Sequence, residues 1–422
     1  MIRKELKKGI HFSYKNSNQF KTSMFVINFS IPLTSKNAAC YSLLTEVLKR
    51  GCNKFRTYKE ISKKLVDLYA SFGCYVYKKG ETLCVGIYDS FLDNRYIPDN
   101  VNVFFDNIDF IHDFIFNPYF IEGFFDKDYV EQEKNNLINR IKEKINDKSS
   151  YAQRRCIEIM CDYEPYHISS TGNIEDVTSI TPLDLIDAYY YLINCANVDA
   201  YYFGSLDFDF VTRDVYELLD FFPQRINSSY PKTIVKSDKK DIDYTTEPID
   251  ASQGKLVIGL RTNSSLINDD FPALVLYNEI LGSSPVSKLF MNVREKESLC
   301  YSCYSSLDSL KGIMLVSAGI NINDYQKALN AILLELQKMK NGDISDYELF
   351  SAKISLKNSY NEIKDSPFSY INWYHTRHIA EFDQSPEIFS EMIQNISIED
   401  VIKVANNIYI DLVYFLKGTE ND

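Results

Sequence analysis

Two stretches of about 200 residues, one on each side of a polar segment, repeat the same coarse order of secondary-structure signals. This duplication limits the folds open to the chain more than any other feature. In the first stretch the apolar residues of Thr22–Ile31 predict a strand, Pro32-Leu33-Thr34-Ser35 breaks it, and Ser35 or Asn37 stands ready to cap a helix. Ala39, Leu43, Leu44, Val47 and Leu48 then fall at helical spacing, and Gly51 is a plausible stop. A second amphipathic helix over Tyr58–Tyr69 leads into two strands, Cys74–Lys78 and Thr82–Tyr88, around the turn Lys79-Gly80. Beyond the polar segment Pro223–Ala251 the order returns as a strand (Lys255–Leu260), helices (Phe271–Leu281, Ser287–Ser298), strands (Tyr301–Ser306, Ile313–Ile320) and a helix (Tyr325–Met339). Interleaved helices and hairpin-like strand pairs predict an α+β class, with two homologous lobes whose largely antiparallel sheets are flanked by helices. The expected boundaries are an N-terminal lobe over 1–224, a linker over 225–250 and a C-terminal lobe over 251–422.

The rest of the first stretch fills in the same picture. A long helix from about Tyr129 to Ile145 sets Leu137, Ile141 and Ile145 on one face, and another is predicted through Arg154–Met160. Thr181-Pro182-Leu183 has the form of a helix start with proline at the first position, and Asp199–Gly204 resembles a buried strand.

Charge and cysteine usage exclude several functions. A net charge of −12 argues against binding a phosphate backbone, so no nucleic-acid partner is expected. No run approaches 18 apolar residues and the basic N-terminus lacks an apolar stretch behind it, so neither membrane insertion nor a signal peptide is expected and the default address is the cytoplasm. The nine cysteines are odd in number and scattered among apolar neighbours, which predicts reduced, buried thiols.

The most informative text lies in the second stretch. Leu281-Gly282-Ser283-Ser284, Ser287-Lys288-Leu289-Phe290 and Val293-Arg294-Glu295-Lys296-Glu297-Ser298-Leu299-Cys300-Tyr301-Ser302 closely resemble a signature of the insulinase/pitrilysin peptidases. The resemblance implies an insulinase- or mitochondrial-processing-peptidase-like fold. It also implies that Arg294 and Tyr301, seven positions apart, are substrate-binding residues that hold a peptide backbone near the scissile bond. A guanidinium and a phenol can both donate to a carbonyl oxygen as it gains charge.

The first stretch agrees in layout and departs in chemistry. Active members carry H-x-x-E-H on a helix and a later Glu as third zinc ligand; the two His share a face and the Glu acts as general base. Anchored on Leu48-Lys49-Arg50-Gly51, the motif positions fall on Ser42, Thr45 and Glu46, and the third-ligand position falls on Arg140, seven residues after Glu133. None supplies the required side chain, and H-x-x-E-H occurs nowhere in the chain. No metal, no cofactor and no catalytic residue are therefore expected here, and no peptidase activity from the chain alone. If Glu46 and Arg140 sit opposite one another, an ion pair across the vacated metal position is expected, since an unpaired buried charge is costly.

Leu65-Val66-Asp67-Leu68-Tyr69-Ala70 and Asn146–Arg154 resemble segments of inactive bacterial homologues from Gram-positive species, which are typically encoded beside an H-x-x-E-H homologue. That resemblance implies a heterodimer in which this chain is the non-catalytic, peptide-binding subunit and its homologous partner holds the zinc. The alternatives are a homodimer that binds peptides without hydrolysis and a peptidase-derived scaffold. Cys300-x-x-Cys303 is expected to be core, with its two side chains on opposite faces of a strand, and His375-x-x-His378 to be structural, on a helix over Ser369–Phe382. Cys156 and Cys161 are expected to be buried thiols, and the tyrosine runs at 189–191 and 201–202 to be lobe packing.

Overall fold

The computed structural model describes residues 1–97, 102–236 and 241–419. They form two compact units, Met1–Lys142 with Ile168–Pro231, and Glu143–His167 with Lys232–Asp422. Residues 143–167, which lie inside the stretch expected to be the first lobe, pack into the second unit.

The first unit is built on strands β1 (Ile2–Lys7), β2 (Ile10–Asn16), β3 (Thr22–Pro32), β4 (Ala70–Lys79), β5 (Thr82–Leu92) and, after a two-residue hairpin of β6 (Phe120–Ile121) and β7 (Phe124–Phe125), β8 (Asn197–Gly204). The sheet order is β1-β2-β8-β3-β5-β4. In the second unit β9 (Asp243–Ile249), β10 (Gly254–Arg261), β11 (Cys300–Asp308), β12 (Ile313–Ile320) and β13 (Tyr409–Gly418) are ordered β11-β12-β10-β13-β9. Read from the opposite edge, that is the order of β2-β8-β3-β5-β4, so the duplication holds strand for strand and β1 is the addition. Even the exception repeats: β2–β8 and β13–β9 are the parallel pairs in sheets that are otherwise antiparallel. Both sheets are thus mixed, a refinement of the largely antiparallel expectation.

Part of the expected linker is structure. β9 runs through it as an edge strand of the second sheet, while residues 237–240 of that segment lie outside the described residues. The helix signals locate the cores. Tyr58–Asp67 carries a capping box between Thr57 and Glu60, and Pro182–Asn194 begins with Thr181 as its cap and proline at its first turn. The cap of Ser35–Leu48 is Thr34, one residue before the expected candidates: its Oγ1 accepts from the Asn37 amide at 3.1 Å.

The second sheet buries both faces. Leu256, Ile258 and Leu260 alternate onto the helical core with Leu274, Leu281 and Ile332. Val257 points the other way, onto Ala152, Cys156 and Met160 of helix Lys148–Met160. At Gly259 an added Cβ would lie 2.6 Å from the Met160 sulfur, so the missing side chain lets that helix approach. Arg261, 1% exposed, anchors the same layer, donating from Nε to Asp411 at 2.8 Å and pairing with Glu164.

Candidate functional site

In the first unit the four positions expected at the dismantled metal site come from two helices, Ser35–Leu48 and Lys127–Glu143. Ser35–Leu48 is buried on nearly all sides, so its polar side chains must find partners within the protein. Ser42 donates its hydroxyl to the Ser170 carbonyl at 2.9 Å, and Thr45 donates back to the Ser42 carbonyl at 3.1 Å. Glu46 lies one turn beyond Ser42 on the same face. Its Oε1 accepts from Arg140 Nη1 at 3.0 Å and its Oε2 pairs with Lys49 at 2.6 Å. Burial works against this carboxylate, but Lys49 first and then Arg140 outweigh it and hold its pKa below the usual range. Glu133 is spoken for as well, accepting from Arg50 Nε at 2.6 Å and from Asn136 at 3.2 Å.

A zinc ion needs imidazole, thiolate or carboxylate donors with lone pairs to spare. Here two hydroxyls donate to carbonyls, one carboxylate is neutralised by two cations, and a guanidinium stands at the expected third-ligand position. These residues do not fit a zinc ion. Among the described residues no group of three or more His, Cys, Asp or Glu is arranged to hold a metal.

In the second unit Arg294 and Tyr301 flank one turn. Arg294 sits in a π-helical segment, Leu289–Lys296, whose wider turns end in a left-handed Ser298 at φ 53°. The segment is tied down from beneath: Lys288 pairs with Glu348 at 2.8 Å, and Asn292 donates to the buried Glu335 at 2.9 Å. Above this support the Arg294 guanidinium makes no side-chain hydrogen bond with a described residue; it lies over the Phe290 ring at 4.5 Å, with the Glu295 carboxylate 3.6 Å away. Tyr301 is 64% exposed. Its exposure has a register cause, because Cys300 pairs with Ile320 and Ser302 with Gly319, which leaves Tyr301 as the extra residue of a bulge. β11 is also an edge strand, so one of its sides is not paired within the sheet.

The bulge corrects the expectation for Cys300-x-x-Cys303. One inserted residue shifts the alternation, so both thiols face the core rather than opposite faces, and the expectation that they are core holds. All nine cysteines are unbridged, but Cys195 is exposed and Cys74 half-buried, so burial is not general. His375 and His378 lie on helix Pro367–Ile379, 0% and 3% exposed. Cys156 and Cys161 belong to the core beneath β10. Tyr201, Tyr202 and Tyr189 are buried as expected, whereas Tyr190 and Tyr191 are exposed. No described helix is long and apolar enough to cross a membrane.

Comparisons with known proteins agree with this chemistry. The family model described as "Peptidase M16 inactive domain" matches residues 179–356. The chain is 30% identical over 419 residues to "Probable inactive metalloprotease YmfF" of Bacillus subtilis (strain 168), covering 98% of this chain and 96% of that protein. It superposes on the crystal structure of a conserved protein from Enterococcus faecalis V583 with a TM-score of 0.92, at 26% identity and covering 100% and 99% of the two chains. A protease from Helicobacter pylori shares the fold at a TM-score of 0.82 and 15% identity, with 99% of each chain covered. The matched family model and the full-length relative lead to one conclusion: the chain belongs to the insulinase/pitrilysin (M16) peptidase family, as an inactive homologue.

Proposed function

We propose that the chain is the non-catalytic, peptide-binding subunit of a two-chain zinc peptidase, working with a homologue that carries H-x-x-E-H. The observation that supports this most is the contrast between the two candidate sites. At the metal positions every polar side chain is consumed by partners within the protein. At Arg294 and Tyr301 a buried scaffold presents two donors whose side chains make no hydrogen bond with a described residue, the Glu295 carboxylate lying 3.6 Å from Arg294.

In this reading the two donors act on a peptide carbonyl, while the partner supplies metal and general base. Hydrogen-bond donors set in advance where charge develops are worth far more than donors that must be recruited from water. The unpaired side of β11 suits an extended peptide, whose backbone adds as a further strand with little dependence on sequence.

The test uses the assembled two-chain complex with Arg294→Ala and Tyr301→Phe. Each is expected to lower kcat/KM by about 10²-fold while leaving assembly intact. If both variants cleave peptide as the parent does, the substrate-binding role fails and a scaffold role replaces it.

A further inference from the structure

The second unit contains a cavity of about 680 Å³ that the peptide-binding reading does not use. It opens among helices Phe271–Asn278, Asp346–Glu362, Pro367–Ile379 and strand β11, in the size range of small-ligand sites. Its walls are aromatic, with Tyr360, Trp373 and Phe389 packed edge to face and at tilted angles. Two charged residues also line it, Arg377 at 3% and Glu279 at 6% exposure.

Neither charge is ion-paired or hydrogen-bonded among the described residues; Asp383 acts on Arg377 only at longer range. Arg377 stacks on the indole of Trp373, its Cζ 3.0 Å from the ring centroid, but makes no ion pair or hydrogen bond with any described residue. Its Nε is buried without an acceptor among the described residues. Glu279 likewise has no ion pair or hydrogen bond among the described residues, and both residues line the same cavity. The rest of this unit behaves differently: its buried charges are paired, Arg261 with Asp411, Lys288 with Glu348, and Glu335 with Lys338. A buried ion left alone is the costly case, and a ligand of opposite charge relieves it.

The groups also converge. After burial, the two influences on the Tyr360 phenol are Arg377, which lowers its pKa, and Glu279, which raises it. Burial draws the Arg377 pKa down to about 9, which still leaves the guanidinium charged at neutral pH. Glu279 opens a π-helical turn, Glu279–Ser283, an irregularity common where a backbone is shaped around a ligand.

We infer that this cavity binds a small zwitterion carrying an aromatic ring, of the class of a free aromatic α-amino acid. The carboxylate lies on Arg377, the ammonium faces Glu279, and the ring packs against Tyr360, Trp373 and Phe389. The assignment does not depend on the peptidase reading.

Trp373 is the one tryptophan in the chain, so its fluorescence reports occupancy without a label. The full chain is titrated with L-phenylalanine, L-phenylalanine methyl ester, N-acetyl-L-phenylalanine and the dipeptide Phe-Gly. A saturable change is expected with L-phenylalanine, with affinity at least about tenfold weaker for the ester, which lacks the carboxylate, and for the acetylated compound, which lacks the ammonium. Arg377→Met and Glu279→Gln are each expected to weaken L-phenylalanine by at least about tenfold. Should either variant fail to fold, the blocked compounds on the parent chain decide. No saturable change up to about 10 mM, equal binding of either blocked compound, or tighter binding of Phe-Gly overturns the assignment.

Discussion

Arg140 donates to the carboxylate of Glu46 at 3.0 Å, joining the two helices expected from the sequence to carry the lost metal positions. The pair has a physical rationale. Removing a metal from between two helices leaves either a gap or uncompensated charge, and complementary side chains remove both problems. With Arg140 about half exposed, the energy is modest. A double-mutant cycle of Glu46→Gln and Arg140→Met is expected to give a coupling of about 0.5 kcal/mol by chemical denaturation. Because the folded-state pKa of Glu46 is depressed, its contribution is present above the unfolded value and is lost as pH falls through the folded one. The coupling should therefore vanish in acid and persist at neutral pH.

Metal content follows from the same geometry. The purified chain is expected to carry no stoichiometric zinc by elemental analysis. Restoring the set with Ser42→His, Thr45→Glu, Glu46→His and Arg140→Glu together is expected to yield a zinc-binding chain, since Ser42 and Glu46 share a helix face and Arg140 already reaches it. Tight zinc in the unaltered chain would refute the account of this site.

Much of this was legible in the sequence, and the parts that were not share a cause. Thr181-Pro182, the Lys79-Gly80 turn and the helix carrying Ser42 announced themselves through caps, turn residues and apolar spacing, all local signals. β1 and β9 did not, because each is an edge strand with little buried surface and so has no reason to be apolar. Helix Lys148–Met160 was recognisable as a helix, but its apolar face does not say which core it completes; only Met160 and Cys156 against Gly259 reveal that. The bulge at Tyr301 was hidden for the same reason, since register belongs to a pair of strands. The cavity around Arg377 was missed because its charges lie about a hundred residues apart in the chain.

Asp89 supplies a pH test of the first unit. It is fully buried on β5, neither carboxylate oxygen has a partner among the described residues, and burial pushes its pKa well above the usual range. A raised folded-state pKa gives stability that is complete below the unfolded value of about 3.9 and declines by about 1.4 kcal/mol per pH unit as pH rises toward the folded value. Asp89→Asn is expected to stabilise the protein at pH 7 by about 1–3 kcal/mol and to flatten this part of the pH–stability profile.

Gly172 tests the seating of the Ser42 helix. At φ 67° it closes the turn that follows Ser170, and an added Cβ would lie 2.7 Å from the Ala39 Cβ and 2.8 Å from its Cα. Positive φ and a backbone clash act together, so Gly172→Ala is expected to destabilise by about 2–4 kcal/mol in a denaturant titration. A neutral result would mean that the turn does not press on that helix.

The central claim is that this chain is half of a peptidase, and co-expression with an H-x-x-E-H homologue from the same genome tests it most directly. The two chains are purified through a tag on this one and assayed, separately and together, on an unstructured peptide. The account predicts that they co-purify, that zinc resides in the partner, and that only the pair cleaves. Cleavage by this chain alone, or full activity of the partner without it, would contradict the account.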